Sequence, residues 1–287
     1  MPSSHFATAL QRTFLLLALL IFPALARAQS GRLAGQVVDQ STQAPISYAS
    51  VGVLRQPLGT VADDQGRFSL DLAAGFENDS LRISLLGYAP LTIRIADLRR
   101  QLQQSGGKVR LQPAPTRLAE VRVRPGKTRR RVVGNSSSSN NVTAAFVINR
   151  LGNQIGQGMR LKRLSAVEQV SFHVAECTYD SLFYRVNVYQ VQKDQPVKSL
   201  LTKPVYVRVL KGQIEDRLVV DLRPYNVWAK GDIVVALEMV KDLGPGTLQL
   251  SSSLMDGPLF VTDNSLNGWE KIRGFGVGID ATITEYF

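Results

Sequence analysis

The chain has 287 residues, 44% of them hydrophobic, and carries 34 Lys and Arg against 23 Asp and Glu for a net charge of +11. That length is long for one β-sandwich and suits two domains that each bury a core. Its single cysteine, Cys177, excludes an internal disulfide, so stability comes from packing alone.

The first 28 residues place Arg12 ahead of the apolar run Phe14–Phe22, followed by Pro23 and then Ala26-Arg27-Ala28. A short apolar core ending in small residues predicts a secretory signal cleaved after Ala28. The run is too short to cross a bilayer, and Gln29 stands where a lipoprotein would need cysteine. Loss of Arg12 and Arg27 takes two from the 34 basic residues and leaves a net charge of +9. Export makes nucleic acid an unsuitable partner for this excess. No later segment reaches the ~18 apolar residues of a spanning helix; even Ile233–Leu237 ends at Glu238.

From Gly31 to Pro113 short alternating segments are separated by Gly, Pro and Asp turns. Phe68, Leu70 and Leu72 alternate with Arg67, Ser69 and Asp71, and Leu81, Ile83 and Leu85 with Arg82 and Ser84. Leu91, Ile93 and Ile95 alternate with Thr92 and Arg94 in the same way. This period gives each strand one buried and one wet face, and predicts two sheets packed face to face. Asp97–Gln104 predicts a short helix that Gly106-Gly107 ends, with Val109 and Leu111 in a closing strand. Asp63-Asp64-Gln65-Gly66 lacks the ligand spacing of a calcium loop and reads as a hairpin turn.

The order of Leu33–Asp39, Ala44-Pro45-Ile46, Ala49–Val53, Gly59–Phe68 and Leu81–Tyr88 resembles the carboxypeptidase-regulatory-like domain. The resemblance implies a transthyretin-like seven-stranded sandwich, of the kind found at the front of exported and outer-membrane proteins of Bacteroidetes-type bacteria. In that family the loop at Asp63 is a structural turn. Leu118-Ala119-Glu120-Val121-Arg122-Val123 resembles the joint that leads into the plug of TonB-dependent receptors. The roughly 160 residues that follow cannot hold a plug and a 22-stranded barrel, so no nutrient receptor is expected.

Arg117, Arg122, Arg124, Lys127, Arg129, Arg130 and Arg131 face only Glu120, and Ser136–Asn141 is a run of serine and asparagine. Residues 114–143 therefore predict a flexible linker. Its cluster Arg129-Arg130-Arg131 is a candidate contact for an anionic envelope surface.

Residues 144–287 are again strand-like. Val170, Phe172 and Val174 alternate with Ser171 and His173, and Tyr184, Val186 and Val188 with Arg185 and Asn187. Further runs at Val205–Val209, Leu218–Leu222, Ile233–Leu237 and Val277–Ile283, with Gly turns between them, predict a second sandwich of jelly-roll type. The alternating last strand with its terminal Phe287 also fits the closing strand of an eight-stranded outer-membrane barrel, the alternative architecture.

Catalytic groups are sparse. Without the leader, His173 is the remaining histidine. Cys177, four residues on, lies ~13 Å away along an extended strand, too far for a thiolate–imidazolium pair. His173 therefore reads as structural, on the exposed face of its strand. No zinc spacing of His and Cys occurs, and no cofactor is expected. The pairs Glu176/Asp180, Asp216/Asp221 and Glu238/Asp242 leave a carboxylate-based glycoside hydrolase as a remote alternative. Trp228, Trp269, Tyr225 and Tyr179 lie beside turns, Trp269 just after Asn264 and Asn267. Trp269, Asn264, Asn267 and Trp228 are thus candidate ligand contacts, since aromatic faces beside amides hold sugar rings. The expectation is an all-β, non-enzymatic binding or scaffold protein of the periplasm or cell surface, its partner an envelope protein or a glycan.

Overall fold

The computed structural model describes residues 31–114, 126–146, 150–213, 215–264 and 266–287; the expected leader and the Leu118–Val123 segment lie outside them. Seven strands belong to the first unit: β1 (Gly31–Asp39), β2 (Ser50–Val53), β3 (Gly59–Val61), β4 (Arg67–Leu72), β5 (Ser80–Ser84), β6 (Leu91–Arg94) and β7 (Lys108–Leu111). They form two sheets, ordered β4-β1-β7 and β3-β2-β5-β6. Leu33, Val37, Phe68 and Leu70 from one sheet pack against Val51, Val53, Leu81 and Ile83 from the other. The expected seven-stranded sandwich is therefore present.

Helix α1 (Ile95–Gln104) carries the chain from the second sheet to the first. Its Ile95, Leu98 and Leu102 recur at helical spacing on one buried face. Gly107, at φ 83°, donates its N–H to Leu102 at 2.7 Å and closes the helix.

The loop at Asp63 is a turn, but it joins β3 in one sheet to β4 in the other and is not a hairpin. Asp63 Oδ1 accepts the N–H groups of Gln65 and Arg67, both at 2.8 Å, and Oδ2 accepts Arg67 Nε at 2.9 Å. Burial pushes the Asp63 carboxyl up, and these bonds outweigh it and hold it below its ordinary range.

The second unit comprises β8 (Thr128–Gly134), β9 (Thr143–Ala145), β10 (Gln154–Cys177), β11 (Ser181–Gln192), β12 (Gln195–Ser199), β13 (Val205–Leu210), β14 (Arg217–Asp221), β15 (Val227–Met239), β16 (Leu248–Leu254), β17 (Leu259–Thr262), β18 (Glu270–Ile272), β19 (Phe275–Val277) and β20 (Ile279–Tyr286). β10 is its spine. Its 24 residues pair in succession with β15 and β17, with β14 and β20, and with β16, and irregularities after Leu161, Val167 and Val174 bend it between partners. The core is built from inward residues such as Val170, Phe172, Tyr184, Val186, Val235, Leu237, Ile279 and Ile283. On β20 Ile279, Ala281 and Ile283 are buried while Thr282, Thr284 and Tyr286 are half-exposed. A lipid-facing barrel requires apolar side chains outside. The apolar-in pattern corrects the barrel alternative in favour of a packed sandwich.

The expected flexible linker is also corrected over its described part. β8 pairs with the whole of β20, from Gly134 opposite Asp280 to Thr128 opposite Tyr286. β9 pairs with β16. Between them the Ser/Asn run straps the outer face of the sheet: Asn135 Nδ2 donates to Ser253 Oγ at 2.9 Å and Ser137 Oγ to the Ser252 carbonyl at 3.0 Å. Such a run buries little apolar area, but its short side chains satisfy the polar backs of strands that face Ser251, Ser252, His173 and Asp280. Sequence composition registers only the missing apolar area.

Candidate functional site

Strand alternation places two sets of outward residues against each other. On β11 Tyr184, Val186 and Val188 enter the core, so Phe183, Arg185, Asn187 and Tyr189 point the other way. On β2 and β5 Val51, Val53, Leu81 and Ile83 point in, so Ser50, Gly52, Arg82 and Ser84 point out. The first sandwich docks on β11 through these faces.

Arg185 stands opposite Glu238 in the register of β11 with β15. Its Nε and Nη2 donate to Glu238 Oε2 at 2.8 Å and Oε1 at 2.6 Å. Its Nη1 donates to the Tyr48 carbonyl at 2.8 Å and its Nη2 also to Ser50 Oγ at 2.8 Å, both in the first unit. Asn187 Nδ2 donates to Glu238 Oε2 at 2.6 Å and to Gln154 Oε1 at 3.0 Å, and Tyr189 OH reaches the same Gln154 oxygen at 3.1 Å. Arg185 is 5% and Glu238 1% exposed. Burial pulls the Arg185 guanidinium down, but the charge and hydrogen bonds of Glu238 outweigh it and hold it above its ordinary value. Burial, and then the Glu238 charge, push the Tyr189 phenol up. Both tyrosine and arginine therefore keep their protons.

Two further contacts lock the units. Tyr48, in a left-handed backbone conformation at φ 60°, packs on Phe183 at 4.9 Å and Tyr206 at 5.4 Å between ring centres. The turn at Asn264 sits against Gly52 and Gly59, where an added Cβ would meet Asn264 Oδ1 at 3.3 Å and Asn264 Cβ at 2.9 Å. Asn264 Nδ2 donates to the Gln56 carbonyl at 3.3 Å.

Beside the Arg185–Glu238 pair a cleft of about 260 Å³ opens between the units, lined by Ser50, Arg82, Ser84, Leu86 and Tyr88 from the first and Arg185, Asn187, Tyr189 and Pro204 from the second. Clefts at domain boundaries with a few convergent polar groups are the usual seats of small ligands. It is the candidate site of this protein.

The residues expected from sequence lie elsewhere. Trp269 is buried, 8% exposed, among Val234, Ala236 and Phe260, with its edge on Tyr189 at 5.5 Å. The outer apolar residues of β15 need a cover, and Trp269 supplies it, so it offers no open face to a sugar. Asn264 is a buried docking residue. Asn267 lines a separate cleft of about 350 Å³ with Gln154, Thr262 and Glu270. Trp228, half-buried, packs on Tyr286 at 5.1 Å; six strand residues from Val234, it lies ~20 Å from the Trp269 cluster. The four do not form one platform.

Arg130 Nε reaches Glu168 Oε2 at 3.0 Å and Arg131 Nη2 reaches Glu285 Oε1 at 2.7 Å, which leaves Arg129 as the exposed member of the triplet without a carboxylate among the described residues. His173 is not on an exposed face: it is buried, with Nε2 2.7 Å from Asp280 Oδ2, which also accepts Ser136 Oγ at 3.3 Å. The strap that covers it comes from the supposed linker.

In the sequence Arg185 stands out only as a member of an alternating strand, and Glu238 as a member of the acidic pair with Asp242, not as partners of each other. The signal that points to them is Glu238 inside the apolar run Ile233–Val240, because a carboxylate at such a position needs a buried cation.

The architecture defines a two-sandwich all-β protein with a polar, buried joint. Residues 33–123 match the CarboxypepD_reg-like domain family, which identifies the first sandwich as the sequence suggested. Among solved structures, the cysteine protease and lectin-like domains of Cwp84, a surface layer associated protein of Clostridium difficile, align at TM-score 0.39 and 12% identity over 55% of this chain. The chain spans 36% of that protein's length. The infectious bursal disease virus VP2 subviral particle aligns at TM-score 0.15 and 8% identity over 89% of this chain and 64% of that one. Neither likeness is close enough to bear on function. No curated protein matches the chain.

Proposed function

We propose that this is an exported, non-enzymatic binding or scaffold protein of the bacterial periplasm or cell surface, and that it binds its ligand in the cleft between its two sandwiches. The observation that carries the reading is the Arg185–Glu238 joint: both units contribute to one rigid polar wall, which preorganises the cleft beside it. Export is supported by the leader-like first 28 residues. The match of residues 33–123 to a CarboxypepD_reg-like domain fits an accessory binding module. A non-catalytic role is supported by the engagement of His173 with buried Asp280, which leaves it badly placed to meet a substrate.

The test is a small-molecule fragment screen read by amide NMR on the purified protein. Fragments are expected to move the signals of Ser50, Ser84 and Asn187, and Leu86→Trp, which fills the cleft, is expected to abolish that response. A screen whose hits all map elsewhere removes the cleft reading. A hydrolytic activity lost in His173→Ala removes the non-enzymatic one. Amino-terminal sequencing of protein recovered from a Gram-negative periplasm checks export, with Gln29 the expected first residue.

A further inference from the structure

The charge balance of the cleft specifies its ligand more closely. Its charged lining residues are Arg82, Arg185 and Glu238. Glu238 is fully engaged: Oε1 accepts Arg185 Nη2, and Oε2 accepts Arg185 Nε and Asn187 Nδ2. Arg185 is likewise committed, to Glu238, the Tyr48 carbonyl and Ser50. These two charges cancel, and the cleft is left with the one on Arg82. No carboxylate among the described residues pairs with Arg82, and its Nε is buried without a hydrogen-bond partner. Some guanidinium groups elsewhere on the molecule pair with carboxylates, as Arg99 does with Glu77 and Arg223 with Asp221. A half-buried guanidinium that lines a cleft and has no carboxylate partner suits an anion there.

Neutral donors stand next to it. Ser84 follows Arg82 by two residues on the same face of β5 and lies opposite Ser50 in the register of β2 with β5. Ser50 Oγ already accepts from Arg185, so its own hydroxyl proton remains to donate. Leu86 adds an apolar wall. A volume of about 260 Å³ lies just below the usual ligand-pocket range and admits one ring-sized molecule.

We propose that the cleft between the sandwiches is a binding site for a ring-sized monocarboxylate, its carboxylate held by Arg82 with Ser84 and Ser50 as supporting donors. This rests on the reading that the cleft is the binding site and adds the ligand's chemical class. A monocarboxylate matches the single uncompensated charge, whereas a phosphate brings a charge of about −1.5 to −2 that the cleft does not balance.

The experiment is an amide NMR titration of the purified protein with benzoate, D-glucuronate, D-glucose, benzamidine and inorganic phosphate. Benzoate and glucuronate are expected to shift the signals of Ser50, Arg82 and Ser84 saturably, and glucose and benzamidine to leave them unmoved. Arg82→Gln is expected to weaken the carboxylates at least tenfold, the loss of a charge-assisted hydrogen bond. Arg82→Lys keeps the charge without the fork and is expected to fall between. Arg82 is half-buried and holds no partner, so both variants should match the wild type in far-ultraviolet circular dichroism. Glucose or benzamidine binding as well as the carboxylates, carboxylate binding unchanged in Arg82→Gln, or Arg82-dependent phosphate binding tighter than either carboxylate would overturn the assignment while the cleft reading stands. If none of the five probes moves a cleft signal, the ligand class and the cleft reading fail together.

Discussion

Replacing Arg185 with methionine removes the cation of the interdomain joint while keeping most of its buried volume. Glu238, 1% exposed, would keep only the Asn187 amide, and the Tyr48 carbonyl and Ser50 hydroxyl would lose their donor. Removing one partner of a buried pair costs about 3–5 kcal/mol, because the remaining charge stays desolvated. With a urea dependence of about 2–3 kcal/mol per molar, the unfolding midpoint should fall by about 1–2 M. The assay is urea denaturation followed by tryptophan fluorescence, where Trp269 packs on Tyr189 of the joint and Trp228 reports from the far side. Because the pair is buried, the difference should persist in 1 M salt. Arg185→Met with Glu238→Leu should recover most of the loss, since an apolar replacement of both partners leaves no orphan charge. A single variant within about 0.5 kcal/mol of wild type, the range of an ordinary surface change, would refute the buried-joint argument. So would a double variant no more stable than the single one.

Gly59→Val places a side chain where even a Cβ would lie 2.9 Å from Asn264 Cβ; overpacking of about 1–3 kcal/mol should loosen the docking and appear as faster proteolysis between the units. A fragment of residues 126–287 should fold, whereas 144–287 should aggregate, because loss of β8 and the strap bares the edge of β20 and the polar row at His173 and Asp280; circular dichroism and gel filtration compare them. Hydrogen bonding and charge from Arg131 hold the Glu285 carboxyl below its ordinary 4.5. A lowered carboxylate contributes stability that is present above pH 4.5 and lost as pH falls through the folded value, so Arg131→Met should flatten the loss of stability below pH 4.5 in an acid titration of the melting temperature. Trp269→Ala should cost about 3–5 kcal/mol as a core truncation, with cleft binding lost only in step with unfolding.

Much of the fold is legible in the chain because strand burial repeats every second residue. Phe68-Leu70-Leu72 and Leu81-Ile83 point inward as their alternation predicts, and so do Val170-Phe172 and Tyr184-Val186-Val188. Alternation states which side chains share a face. It does not state what lies against the opposite one. Arg185 and Asn187 have the pattern of a wetted face, yet the first sandwich covers them. His173 has it too, yet it is buried on Asp280, which the Ser/Asn strap reaches through Ser136. The strap itself was illegible for the same reason: its stabilisation comes from hydrogen bonds to groups more than 100 residues away, as between Asn135 and Ser253.

The amino-acid sequence by itself determined the all-β class, the family of the first sandwich and the inward face of most strands, because these follow from local period and turn chemistry. Only the tertiary structure decided the function-bearing features. Trp269 went to the core because outward Val234 and Ala236 required a cover. Arg185 met Glu238 because two strands distant in sequence came into register. Arg82 was left without a carboxylate because docking brought its face against a wall whose only acid was already engaged. Which charges cancel depends on distances of a few ångströms between residues far apart in the chain, and folding alone sets those distances.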